Sequence, residues 1–188
     1  DSRGKTRFFR GTGDHPYILS LTPASAPAVT AITFSGSLEE ISSVGKVDRS
    51  FDVPGGARGF ELTGPEAQRY RFVMENETPN VIVDRDKPIQ LTHAVVNAVD
   101  VETSERFAVE TLGFKVSDRT AHMRFVRCNR KHHALAYAHS ELASLNHIAF
   151  EMQDIDAVMR GIVRLREAGF ESVWGPGRHG PGNNVFAY

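Results

Sequence analysis

Four short segments place histidines where an imidazole can do chemistry. Leu91–Val95 holds His93, Asn129–Leu135 holds the pair His132 and His133, Leu145–Phe150 holds His147, and Gly175–Gly180 holds His179. Neutral imidazole binds divalent first-row metals, and because it titrates near neutral pH it also moves protons. Two histidines and one carboxylate form a facial triad that leaves coordination positions open, an arrangement suited to iron(II). A lone strand histidine is more often a satisfied core or sheet-surface residue, so the chemical reading depends on elements that gather several. Glu151 shares a strand face with His147 but lies roughly 13 Å along it, too far to bind the same ion.

Composition narrows the function classes. The chain of 188 residues is 40% hydrophobic and 24% charged, with a formal net charge of -1. That is an ordinary globular balance, long enough for one large or two small cores. No Lys/Arg run of the kind that tracks phosphates is present, so nucleic acid is not the expected partner and a small molecule is. No apolar stretch has the length of a membrane span, and the start shows no signal-peptide pattern, although Asp1 does not look like a natural beginning. Cys128 is the single cysteine. It excludes an internal disulfide and fits a reducing cytoplasm.

The elements that must position the histidines show through an internal repeat. Arg10–Leu19 lies over Arg127–Ala136 without a gap, Val29–Phe34 over Leu145–Phe150, and Gly59–Leu62 over Val185–Tyr188. In the better preserved copy, Leu91–Val99 reads as a strand. Asp100 then caps a helix running to about Leu112 and closed by Gly113. Extended stretches follow at Phe114–Ser117, Met123–Cys128 and Ala134–His139. The pattern restarts with a strand over Leu145–Met152 and a helix capped by Asp154 or Asp156, with Val158, Met159, Ile162, Val163 and Leu165 on its apolar face and Gly169 at its end. A short strand is expected over Glu171–Trp174, a loop over Gly175–Asn184 and a strand over Val185–Tyr188. The unit is βαβββ, used repeatedly, which makes an α+β fold of two tandem domains: 1–73, a linker at 74–90, and 91–188. Each domain is expected to be incomplete within these residues. The first opens without an initial strand and helix, and the second stops about a dozen residues short of where the first continues.

Paired βαβββ units carrying His93, His132-His133, His147 and the Gly-Pro-Gly-Arg-His179-Gly loop resemble the vicinal oxygen chelate superfamily, and within it the type I extradiol ring-cleaving dioxygenases. The resemblance is strong over most of 85–188 and weak over 5–73. It implies the glyoxalase, bleomycin-resistance and dihydroxybiphenyl dioxygenase fold. It also implies an enzyme of aromatic catabolism that opens a catechol-type ring with O2 at iron(II), with manganese(II) as the other candidate metal. His93 and His147 would be the metal ligands, with a glutamate expected on a strand beyond Tyr188. His133 would be the acid–base residue, with His132 the competing assignment. His179 would hydrogen-bond substrate or an oxygen intermediate, and Tyr188 would orient an ionised substrate oxygen. The bland alternatives are an edge-strand polar pair, a turn and a strand aromatic, respectively.

In the first copy the positions corresponding to His147 and His133 are Ala31 and Pro16, which neither ligate nor transfer protons. The resemblance therefore makes 1–73 a degenerate, non-catalytic module pair and 91–188 the catalytic one, with His15 structural. Trp174, Phe186 and Val95 are candidates for an apolar substrate wall or for core, and a homo-oligomer is expected. Two other classes stay open. One is a non-redox metal enzyme of the superfamily, glyoxalase-like or isomerase-like; the other is a metal-free small-molecule binder of the same fold.

Overall fold

The computed structural model describes residues 1–188 and is α+β. Strands β1 (Ser2–Arg3), β2 (Thr6–Phe9) and β3 (Leu19–Leu21) form a small antiparallel sheet. A complete βαβββ unit follows: β4 (Ile32–Ser35), α1 (Leu38–Ser42), β5 (Arg49–Phe51), β6 (Ala57–Thr63) and β7 (Arg69–Glu75). Its sheet order is β4-β7-β6-β5, with β4 parallel to β7. The plan recurs in β8 (Gln90–Ala98), α2 (Val101–Glu110), β9 (Lys115–Arg119), β10 (Met123–Arg127) and β11 (Leu135–His139), where β8 is parallel to β11. Then come β12 (Ser144–Glu151), α3 (Ile155–Glu167), β13 (Gly177–Arg178) and β14 (Val185–Phe186). Strand β12 joins β8 antiparallel, giving a five-stranded sheet of order β12-β8-β11-β10-β9. The three matched segments of the repeat thus fall on equivalent elements, with β2, β3, β4 and β6 standing against β10, β11, β12 and β14. No helix is long and apolar enough to cross a membrane.

Two local expectations are corrected. Glu171–Trp174 is not a strand, because Gly175 at φ +100° and Pro176, which has no N–H, interrupt the run. Backbone pairing there is confined to Tyr188, whose carbonyl accepts from Val173 N–H at 2.8 Å and from Trp174 N–H at 3.5 Å and whose N–H donates to the Trp174 carbonyl at 2.8 Å. Conversely, the stretch 175–184 is not all loop. Gly177 and Arg178 pair with Phe186 and Val185, and the turn between them is made at Gly182 (φ +77°) and Asn183 (φ +50°).

Helix α2 starts where its cap dictates, with the Asp100 carboxylate accepting from Thr103 N–H at 2.9 Å. It stops before Gly113, whose φ of +72° suits the left-handed C-terminal position. The Asp154 carboxylate caps α3 in the same way, accepting from Ala157 N–H at 2.7 Å. Alternation along the strands then divides the five-stranded sheet into two faces. One face carries Ala94, Val96, Ala98, Val126, Leu135 and Tyr137 into a single core with α2 and with Ile41, Phe60, Tyr70 and Phe72 of the first unit. Phe114 stands between the sheets, its ring 5.0 Å edge-on from Phe34 and 6.2 Å from Phe72. The buried hydroxyls of Tyr70 and Tyr137 face each other across the same junction at 3.4 Å. At its rim the Glu66 carboxylate accepts from the N–H groups of Val99 and Asp100 at 3.1 and 2.9 Å. The opposite face holds only Val95, Phe125 and Ala136 as buried apolar residues, which leaves it free to line a site.

Because Phe114 fills the junction, Phe114→Ala should lower the unfolding free energy by about 3–5 kcal/mol. Chemical denaturation should show one cooperative transition in both proteins. Two separate transitions in the unsubstituted chain would contradict a shared core.

Candidate metal centre

Strand pairing decides which side chains meet. Residues directly opposed across an antiparallel pair point to the same face, and His147 opposes Val95 while Ala149 opposes His93. All four therefore lie on the open face of the sheet. The register reaches this arrangement through two irregularities, one between Leu145 and His147 and one between Ala149 and Phe150. The first makes Asn146 an extra residue, and without it the following side chains of β12 would exchange faces. The imidazole rings of His93 and His147 end 5.6 Å apart, and His133, just before β11, brings its ring within 4.2 Å of His93.

The hairpin of β13 and β14 adds the remaining groups. His179 N–H donates to the Asn184 carbonyl at 3.0 Å, which fixes the residue at the end of β13. Its ring stacks on Phe186 at 3.9 Å. The Tyr188 hydroxyl lies 3.2 Å from His147 Nε2 and 3.3 Å from His179 Nε2. Sequence-selected His93, His133, His147, His179 and Tyr188 are thus one cluster. His93, His133, His179 and Tyr188 border a cavity of about 960 Å³ whose far wall includes Ile155, Val158 and Ile162 of α3. His147 is not among its lining side chains, because the Tyr188 ring meets it edge-on at 4.9 Å.

Burial keeps these imidazoles neutral. His93 is 8% exposed, and burial, reinforced by the other histidines, pushes its pKa down to about 3. His133 is brought to about 4 by the same causes. His147 and His179 are also lowered, chiefly by burial, while burial raises the Tyr188 phenol. At neutral pH the cluster therefore presents free nitrogen lone pairs and a protonated phenol, the state in which imidazole ligates metals. His93 makes no hydrogen bond to the protein. Its nitrogens are not among the sealed polar atoms left without a partner, and the ring borders the cavity.

The tautomer of His147 follows from its neighbours. Asn146 donates through Nδ2 to Asn97 Oδ1 at 2.8 Å, so its Oδ1, 2.9 Å from His147 Nδ1, must accept. Nδ1 then carries the proton and Nε2 is left bare, facing the Tyr188 hydroxyl. The two imidazoles suit a divalent ion. No set of three His, Cys, Asp or Glu side chains is grouped to hold one. Glu151 is engaged elsewhere, accepting from Gln90 Nε2 at 2.6 Å and paired with Lys131.

Of the other residues singled out, Phe186 lines the cavity, Val95 is buried beneath the open face, and Trp174 is 58% exposed while stacking on Tyr188. His15 stands apart and binds Glu75 at 3.1 Å, which raises its pKa. Sequence reasoning missed Asn146 and Asn97, whose only sequence signal is that Asn146 precedes His147. It also missed Phe125, whose ring lies 5.1 Å from His133.

Comparison with known proteins agrees with this architecture. Residues 90–188 match the family model described as the Glyoxalase/Bleomycin resistance protein/Dioxygenase superfamily. Metapyrocatechase 2 of Cupriavidus necator is 31% identical over 109 residues, which are 56% of this chain and 34% of that protein. The chain spans about a third of the length of the curated relatives it matches. The crystal structure of the Mn(II)-bound glyoxalase from Novosphingobium aromaticivorans superimposes with a TM-score of 0.88 at 28% identity, over 100% of this chain and 68% of that one. The 2,2',3-trihydroxybiphenyl 1,2-dioxygenase of Sphingomonas wittichii shares the fold, with a TM-score of 0.78 at 18% identity over 97% of this chain and 75% of that one. With more than half of its length matched by the family model, the chain belongs to the glyoxalase/bleomycin resistance protein/dioxygenase superfamily.

Proposed function

We propose that this chain carries the metal centre of an extradiol dioxygenase that opens a catechol-type ring with O2. The observation that carries the reading is the meeting of His93 and His147 on one sheet face with His133, His179 and Tyr188 around them. His93 and His147 would hold iron(II), with manganese(II) the other candidate, through neutral nitrogens. The bound ion would supply Lewis-acid polarisation of the two catechol oxygens and a common site for substrate and O2.

The protein's own part is positioning and proton traffic. His133, neutral and beside the ligand His93, accepts a proton from a catechol hydroxyl at Nε2 and later returns it to an oxygen of the opening ring. The Tyr188 hydroxyl exchanges its contact with His147 for a hydrogen bond to the ionised substrate oxygen. His179, its ring stacked on Phe186, would donate a second hydrogen bond to the substrate from the same side. The apolar residues Ile155, Val158 and Ile162 of α3 would form the wall facing the ring. Residues 1–73, with Ala31 and Pro16 at the corresponding positions, would be a non-catalytic module, joined through 74–90 to the catalytic module 91–188.

A second reading, a metal-dependent reaction without O2, is favoured by the 28%-identical Mn(II)-bound glyoxalase that covers the whole chain. Oxygen consumption separates the two. With anaerobically added iron(II), a panel of catechols should give uptake stoichiometric with ring-opened product. Absence of uptake with every catechol, alongside turnover of a glyoxalase substrate, would overturn the dioxygenase reading. His93→Ala and His147→Ala should each lose stoichiometric iron(II) and manganese(II) binding in equilibrium titrations, and retention of full binding by either would remove that residue from the ligand set. His133→Phe should keep metal and catechol binding yet slow turnover by about 100- to 10,000-fold; unchanged single-turnover rates would exclude it as the proton carrier.

A further inference from the structure

His132 and His133 both border the cavity, but they are held differently. Their Nδ1 atoms lie 2.9 Å apart, with the rings nearly perpendicular at 89°. His133 Nε2 has no protein partner. His132 Nε2 faces the Asp118 carboxylate at 3.8 Å. Asp118 reaches it because it opposes Phe125 in the β9–β10 ladder and so shares that residue's face of the sheet. The Phe125 ring lies 5.6 Å from His132, and on another side the backbone of Gly182 comes so near that a Cβ there would stand 3.0 Å from His132 Nδ1. The His132 ring therefore occupies a slot shaped by three separate elements.

An Nδ1 to Nδ1 hydrogen bond requires one protonated and one bare nitrogen, and the carboxylate decides which. At 3.8 Å the Asp118 carboxylate does not hydrogen-bond His132 Nε2, but its negative charge favours the tautomer of His132 with the proton on Nε2 and a bare Nδ1. His133 must then donate from Nδ1, which leaves its Nε2 as an acceptor. We propose that His132 is a positioning residue for His133, locking it in the tautomer whose bare Nε2 is available to a substrate hydroxyl. This rests on the reading of His133 as the proton carrier. A histidine held by its outer nitrogen keeps its orientation through turnover, and outer partners of this kind commonly matter by about 10- to 100-fold in activity.

The test uses the full chain, with ¹⁵N-labelled histidine. Long-range ¹H–¹⁵N spectra should show a single Nδ1-protonated form of His133 in the unsubstituted protein, mixed tautomers in His132→Phe, and restoration of one form in His132→Asn, whose amide oxygen can take the place of Nδ1. With iron(II) and a catechol, His132→Phe should lower kcat by about 10- to 100-fold with little change in KM, and His132→Asn should recover most of it. An unchanged His133 tautomer in a folded His132→Phe protein would overturn the proposal, as would a kcat equal to that of the unsubstituted chain. The His133→Phe variant separates the two ideas. If it turns over normally, the reading of His133 as proton carrier falls, while the spectra alone still decide whether His132 sets the tautomer.

Discussion

The antiparallel seam between β8 and β12 is the constraint on which the rest of the site depends. Two histidines 54 positions apart in sequence (147 less 93) meet because their strands pair in one register, with Asn146 inserted as an extra residue. A one-residue slip would turn the β12 imidazole toward the hydrophobic core and leave an apolar residue in its place. The register is itself fixed from behind. Ala94, Val96 and Ala98 are committed to the main core, so their neighbours His93 and Val95 have only the other face to occupy.

That division of labour explains why the site can hold so many polar rings. The main core gathers most of the large side chains of both βαβββ units on one side of the five-stranded sheet, while the open side carries Phe125 with the small Val95, Ala136 and Ala149. Space remains there for imidazoles and a cavity. Burying polar rings is costly unless each finds a partner. His147 has Asn146 and Tyr188, and His133 has His132. His93 alone has none, and burial keeps it neutral. Its ring borders the cavity, so its lone pair is open to whatever enters there, which is why it is central to the metal reading.

Much of this was legible in the sequence because the relevant signals are local or repeated. Asp100 and Asp154 as helix caps, Gly113 and Gly169 as helix ends, and the strands around His93 and His147 follow from short-range chemistry, and the doubled βαβββ plan follows from the offset matches. Other features were not legible because they are settled by partners distant in sequence. The Glu171–Trp174 run has strand-like residues, but its pairing is limited by Gly175 and Pro176 and by a single neighbour, Tyr188. Residues 177–178 look like loop and become strand only because Val185 and Phe186 come back beside them. Asn146 as an inserted residue, and the amide chain from Asn97 that sets the His147 tautomer, depend on register, which composition does not encode. Asp118 facing His132 is the same kind of fact.

The central claim is that His93 and His147 together ligate one divalent ion across the β8–β12 seam. X-ray absorption spectroscopy of the iron(II)-loaded chain at the metal edge tests it most directly, since imidazole rings give characteristic multiple-scattering features. Two imidazoles are expected on the ion in the unsubstituted protein and one in both His93→Ala and His147→Ala. A spectrum fitted by oxygen donors alone, or an imidazole count that does not change in those variants, would contradict it.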